Sequence, residues 1–349
     1  MDPRRSTWSA ASRFLVATAC ITTAGGLAGC STRHSSRNPP VLRAQVTKLP
    51  GSPVAETGSS SGVLIAVQRG ARRGLVLRLV RGGGHPVVVG SVPPGPTALA
   101  AWRKTAWVAS NPQSTAGSGR GGSIVRMDES TNRSIGRPIK IDSPMALAVD
   151  GTGAWVLSGP PAHHDYLLHI APNGKTLVRI RVPGWEVGFP QIALGMGSVW
   201  VLSSTTTGLR ERSRLTRIDL TENRVTEIFK LPSATSLAVV RGRLWIATRR
   251  AHGRGSAELI HLSPRLDRLA SQRIPLPRAS VLTGGDGRVW VTGVNVLSRI
   301  DPGSSRVVSG VVKGLGEPYG LVYEGHGLWL IGSGLSAAYR VNSRFGNSG

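Results

Sequence analysis

Apolar positions in this chain come in short alternating runs of five to eight residues, broken by glycine, proline and polar pairs. "PTALAAW" (96–102), "PMALAVD" (144–150), "PQIALGM" (190–196), "ATSLAVV" (234–240), "ASVLTGG" (279–285) and "PYGLVYE" (318–324) are six versions of one run. All six are followed by a second apolar run that carries a tryptophan, and in five of them a glycine-containing turn comes between, as in "GMGSVWVLSS" (195–204) and "GDGRVWVTGV" (285–294). A third run ends in a polar turn ("SIVRMDEST", "RLTRIDLTEN", "VLSRIDPGS"), and a fourth leads into the next unit ("RVTEIFKLP", "RLASQRIPLP"). Period-two alternation bounded by turn residues predicts strands, and no stretch after residue 30 keeps a helical period.

Trp107, Trp155, Trp200, Trp245, Trp290 and Trp329 therefore recur about every 45 residues, a period that indicates a propeller or a solenoid. Four strands per unit make one propeller blade. Where a glycine stands ahead of Trp, as in five of the six units, it makes the tight turn between strands one and two. The ring itself is expected in the gap between blades, where it buries about 150 Å² or more. Residues 54–95 read as a degenerate first unit, with Leu64-Ile65 near the Trp position. The last unit has three strands and ends before a fourth. "VLRAQVTKLPG" (41–51) resembles that missing strand, so the prediction is an all-β, seven-bladed propeller of four-stranded blades, closed by residues 41–50 against the carboxy-terminal blade.

The amino terminus adds an address. Basic "MDPRRSTWSAASR" precedes the short apolar run "FLVATACITTAGG", the order of an export signal too short to span a bilayer. Leu27-Ala28-Gly29-Cys30 then resembles the lipobox of bacterial lipoproteins, which implies cleavage before Cys30 and diacylation of its sulfur. Two acyl chains suffice for stable anchoring where one is marginal. The expected organisation is a signal peptide at 1–29, lipidated Cys30 with a flexible tether to residue 40, one propeller domain at 41–345 and a tail at 346–349. The expected location is the outer face of a bacterial cell membrane, in a high-GC organism.

Charge and cysteine usage narrow the chemistry. The formal net charge is +25, carried mainly by Arg, since lysine occurs only as Lys48, Lys104, Lys140, Lys175, Lys230 and Lys313. The basic residues are dispersed, with no arm or stripe and no nucleic-acid reader motif, so an anionic lipid, wall polymer or other polyanion fits better than nucleic acid. Both cysteines, Cys20 and Cys30, precede the folded part, which excludes a disulfide framework or thiolate metal site there. The domain is expected to be monomeric.

The repeat "P-x-x-LA-x-x-x-G-x-x-W-V … L-x-RID-x-x-T-x-x-V … I-x-LP" is similar to the propellers of the YVTN-repeat and streptogramin-lyase-like superfamily over nearly all of residues 41–345. For the lyases, the resemblance implies a metal-assisted elimination by His and Glu near the central channel, with Glu shortly after the blade aromatic. Here the residues after Trp read "VAS", "VLS", "VLS", "IAT", "VTG" and "LIG", with neither acid nor His. Glu317, Glu324 and His326 are the remaining candidates for such chemistry, with Glu324 and His326 in the hairpin before Trp329 and Glu317 on the opposite face. The sequence therefore favours a non-enzymatic binding or scaffold module for a protein, glycan or polyanionic envelope partner, with no cofactor. A metal-assisted lyase or hydrolase using a divalent ion is the alternative, with its metal ligands unknown.

Long loops gather on one predicted face, and rigid scaffolds tend to carry binding on such loops. They supply Trp185 and Glu186, which lengthen their loop, His163, His164 and Asp165, and Arg210, Arg212, Arg249, Arg250 and Arg254 as a basic rim. Tyr319, in "GLGEPYG", is placed on the same face. Two motif matches are read as loops: Gly58-Ser59-Ser60-Ser61-Gly62 fits G-x-S-x-G without a following helix, and Gly117, Gly119 and Gly122 precede a strand rather than a helix.

Overall fold

The computed structural model describes residues 39–80, 84–112, 121–159, 165–183, 190–207, 210–249, 256–262, 269–277, 281–325, 327–332 and 336–345. All regular structure among them is strand, arranged as seven sheets that follow the repeat. Blade 1 is Ser52–Ser59, Gly62–Arg69, Arg73–Leu79 and Val87–Val92. Blade 2 is Pro96–Trp102, Thr105–Ser110 and Gly122–Asp128, with its outer strand split into Arg133–Ser134 and Ile139–Ile141. Blade 3 is Pro144–Asp150, Gly153–Ser158, Asp165–Ile170 and Thr176–Val182. Blade 4 is Gln191–Gly195, Ser198–Thr207, Arg210–Asp219 and Arg224–Pro232, and blade 5 is Ala234–Val240, Arg243–Arg249, Ser256–Leu262 and Leu269–Pro277. Blade 6 is Val281–Gly285, Arg288–Gly293, Val296–Ile300 and Val307–Val312. Blade 7 is Pro318–Glu324, Gly327–Gly332 and Ala337–Asn342, completed by Ala44–Lys48. The first strands touch one another in sequence order, and that of blade 7 meets that of blade 1, so the sheets form a closed ring.

The turn chemistry explains the glycines before Trp. Met196-Gly197, Arg241-Gly242 and Asp286-Gly287 all have positive φ at both central positions, in two-residue hairpins closed by the pairs Gly195↔Ser198, Val240↔Arg243 and Gly285↔Arg288. This is the primed turn that matches strand twist, and glycine adopts it without steric cost. At the other hairpin of the blade, Asp219 Oδ1 accepts the N–H of Thr221 and Glu222, and Asp301 Oδ1 accepts those of Gly303 and Ser304. These bonds hold both carboxyls below their ordinary pKa.

Each hydrophobic cluster occupies one joint between blades. Trp245 packs with Leu282, Val289 and Ile300 of blade 6, Trp200 with Leu237 and Leu244 of blade 5, and Trp329 with Val63, Ile65 and Leu77 of blade 1. Leu64 takes the Trp position in blade 1, packing against Leu99 and Val108 of blade 2. Opposite this position on the third strand stands a basic residue in every blade: Arg78, Arg126, His169, Arg217, His261, Arg299 and Arg340. Arg126, Arg217 and Arg340 lie over their Trp rings at 5.6, 5.8 and 6.0 Å, and His169 stacks on Trp155 at 4.3 Å. Part of the Arg content therefore packs on tryptophan inside the blades.

Closure follows the expected strand with one difference. Ala44–Lys48 pairs antiparallel with Ala337–Val341, whereas Val41–Leu42 pairs parallel with Val311–Val312 of blade 6. Gly310 makes this crossing fit, because a Cβ there would come within 2.6 Å of the Leu42 side chain. The closing segment thus staples two blades rather than one.

Candidate functional site

In the inner strands, the residue just ahead of the one paired with Trp is Leu99, Leu147, Ile192, Leu237, Leu282 and Leu321 in blades 2 to 7. In blade 1 that residue is Glu56. A carboxylate replaces the repeat leucine at the joint where the ring closes. Gly320 of blade 7 makes room for it: a Cβ there would lie 2.4 Å from the Glu56 carboxyl carbon. The carboxylate accepts the Leu321 N–H, but burial outweighs that bond and pushes its pKa up to about 7. Beside it stands Tyr319, half-buried, with a buried hydroxyl that has no hydrogen-bond partner among the described residues. Burial, then the charge of Glu56, hold its proton above the ordinary phenol range.

Further along the same strand face, a cavity of about 420 Å³ opens at the turn end of this joint. Three blades line it: Gly58, Ser59 and Ser60 of blade 1, Ala101 and Arg103 of blade 2, and Tyr323, Glu324 and Gly325 of blade 7. Side chains of alternate strand residues share a face, which puts Glu56 about 7 Å deeper than Gly58. The serine turn is fixed from below. Ser60 Oγ donates to the Arg103 carbonyl at 2.7 Å, Ser59 Oγ to the Gly62 carbonyl at 3.0 Å, and Ser61 Oγ to Glu129 Oε2. Arg78 in turn donates to the Glu129 carbonyl at 3.0 Å. The Gly58–Gly62 motif is thus the turn of the first hairpin of blade 1 and one wall of a cavity. The Tyr323 ring turns away, stacking on Trp290 at 6.3 Å over Gly285.

Among the described residues, those singled out in the sequence do not assemble into one site. Glu317 and Glu324 flank or end the seven-residue strand Pro318–Glu324, roughly 20 Å apart, as their opposite faces implied. Glu317 is exposed and Glu324 is buried at the cavity. His326, Trp185, Glu186, His163, His164, Arg250 and Arg254 lie outside the described residues. Arg210 and Arg249 belong to strands of blades 4 and 5, with side chains outside the description, and Arg212 is exposed.

Two placements are corrected. Asp165 is not a loop residue: it pairs with Val182, is 2% exposed, and has Oδ1 where a Cβ on Gly159 would be 2.2 Å away. Burial pushes its pKa up to about 6. Tyr319 belongs not to the loop face but to the joint: it is the second residue of the strand Pro318–Glu324 and packs against the core between blades 7 and 1. Among the described residues no three His, Cys, Asp or Glu side chains gather as a metal would require.

Glu56 escaped the sequence reading. Its signal is visible once the repeats are aligned on the structure, as "PVAETG" against "PTALAA".

No family model matches the chain, and no curated protein matches it by sequence. Solved structures match by fold. Kuenenia stuttgartiensis hydrazine synthase superimposes with a TM-score of 0.63 at 15% identity, covering 85% of this chain and 96% of that one. A catalytically inactive virginiamycin B lyase from Staphylococcus aureus with quinupristin gives a TM-score of 0.60 at 15% identity, covering 86% and 99%. The chain is a seven-bladed β-propeller, similar in fold to virginiamycin B lyase.

Proposed function

We propose that this chain is a lipid-anchored, extracytoplasmic propeller that works as a non-enzymatic binding or scaffold module in a bacterial envelope. The observation that carries the binding role is the cavity at the turn end of the blade 7–blade 1–blade 2 joint, a polar recess whose walls are hairpin turns set by packed cores. A closed ring makes such walls rigid, and rigidity suits capture without ordering cost. Separation of Glu317 from Glu324 by the length of a strand supports binding over elimination chemistry built on that pair.

Anchoring rests on Leu27-Ala28-Gly29-Cys30 behind a short apolar run. A chain beginning at Cys30 keeps a formal charge of +23, which draws it toward anionic lipid or wall polymer. The test is fractionation of cells making the full chain or its Cys30→Ser variant. The full chain is expected in the detergent-soluble membrane fraction, open to protease added outside, with the variant released from it. A wild-type chain that stays soluble overturns the anchoring.

The second reading is a metal-assisted lyase, and the virginiamycin B lyase fold is what favours it. Thermal unfolding with EDTA and then with Mg²⁺, Mn²⁺, Ca²⁺ or Zn²⁺ separates the two. A ligand at about 100 times its dissociation constant stabilises by about 2.7 kcal/mol, so a reversible, metal-specific rise in Tm would turn the assignment to the lyase.

A further inference from the structure

The geometry points to a binding site for a small zwitterion of the α-amino-acid type in the cavity at the blade 7–blade 1–blade 2 joint. This inference rests on the binding-module reading and names its ligand class. Residues of opposite charge line two of its three walls: Arg103 in the blade 2 turn and Glu324 at the end of the blade 7 inner strand. Between them runs the serine turn of blade 1, which brings hydroxyl oxygens and main-chain polar groups but no charge.

The burial pattern is asymmetric. Glu324 is 6% exposed, whereas Arg103 stands in the open turn. Glu324 has protein partners of its own, and a carboxylate offers roughly four acceptor positions, so it takes an ammonium beside them. A ligand bearing only a negative charge would have to sit near Glu324, and one bearing only a positive charge would have to sit near Arg103. A neutral polyol would cover both charges and compensate neither. A zwitterion places its ammonium toward Glu324 and its carboxylate toward Arg103, where bidentate hydrogen bonding is available.

Among the described residues the cavity has no aromatic floor on which a sugar ring would stack, because the Tyr323 ring is turned onto Trp290 and Gly285. Its open mouth leaves the ligand side chain in solvent, so the site selects the zwitterionic head and tolerates different side chains.

The shape is held by contacts that do not involve the ligand. Ser60 ties the blade 1 turn to the Arg103 carbonyl, and Glu129 ties Ser61 to blade 2. Arg103 has φ +53°, a conformation asparagine also tolerates, so Arg103→Asn removes the charge and keeps the turn.

Isothermal titration of the full mature chain in detergent with glycine, L-alanine, acetate, methylamine and glucose tests the assignment. Glycine and L-alanine are expected to bind saturably, with acetate and methylamine weaker by about tenfold or more. Arg103→Asn should weaken glycine by about tenfold with its Tm unchanged, and Glu324→Gln should do the same if it folds. Absence of saturable glycine binding overturns the inference. So does equal binding of acetate or methylamine, preferential binding of glucose, or an Arg103→Asn variant that binds glycine as the parent does. Saturable binding of acetate or glucose lost in Arg103→Asn would sink the zwitterion and leave the binding module standing.

Discussion

The joint between blades 5 and 6 and the joint between blades 7 and 1 are built on the same plan and differ at their inner edge. In the first, Trp245 and Val240 pack against Leu282, Val289 and Ile300, and Ser236 accepts the Leu282 N–H at 3.1 Å. In the second, Trp329 packs equally well against Val63, Ile65 and Leu77, but the inner position holds Glu56 with Tyr319 beside it. The outer part of every joint is a packing problem with one solution repeated. The inner edge tolerates departures, and one of them falls at the closing seam.

The largest effect that would sharpen this contrast is at the uniform joint. Trp245→Ala empties the center of the blade 5–6 cluster, and should cost about 3–5 kcal/mol by denaturant unfolding. A loss below about 1 kcal/mol would mean that the blade gap collapses, and that the tryptophans are not structural.

Glu56→Gln probes the exceptional joint. A carboxyl with a folded-state pKa raised from 4.5 to about 7 binds more protons folded than unfolded across that window, so the parent loses stability as pH rises through it. The Gln variant should match the parent near pH 4 and exceed it by up to about 3 kcal/mol above pH 8. A difference independent of pH would break the assignment of the shift to burial.

Leu42→Ala tests whether closure spans two blades. Leu42 is 9% exposed against Gly310, and its truncation should cost about 2 kcal/mol. Proteolysis should then release the amino-terminal segment before the blades unfold. An unchanged midpoint would leave Ala44–Lys48 as the sole closure.

The smallest effect separates backbone from packing. Gly242 has φ +66° and open space where a methyl group would stand, so Gly242→Ala should cost about 1 kcal/mol through conformation alone. Gly285→Ala, where Tyr323 lies 2.0 Å from the new Cβ, should cost more, and equal costs would contradict the close approach.

Much of the ring was legible in the chain because its code is local. Glycine in a primed turn, alternation in a strand and one large ring per blade each act within a few residues, and Trp107 through Trp329 repeat them. The candidate site was far less legible. Glu324 was singled out, but its neighbours Ser59, Ser60 and Arg103 come from two other blades and were not. Asp165 carried the right residue type, but its burial depends on Gly159 and Val182.

The sequence by itself determined the blade count, the four-strand unit, the position of the tryptophans in the joints and the closing role of residues 41–50, because periodic burial needs only local pattern and a repeat length. Only the tertiary structure decided that Glu56 meets Gly320 and Tyr319, that Leu42 crosses to blade 6, and that the serine turn shares a cavity with Arg103 and Glu324. Most of those contacts join residues from opposite ends of the chain. Ring closure creates them, and no local pattern encodes which partner a closed ring will bring.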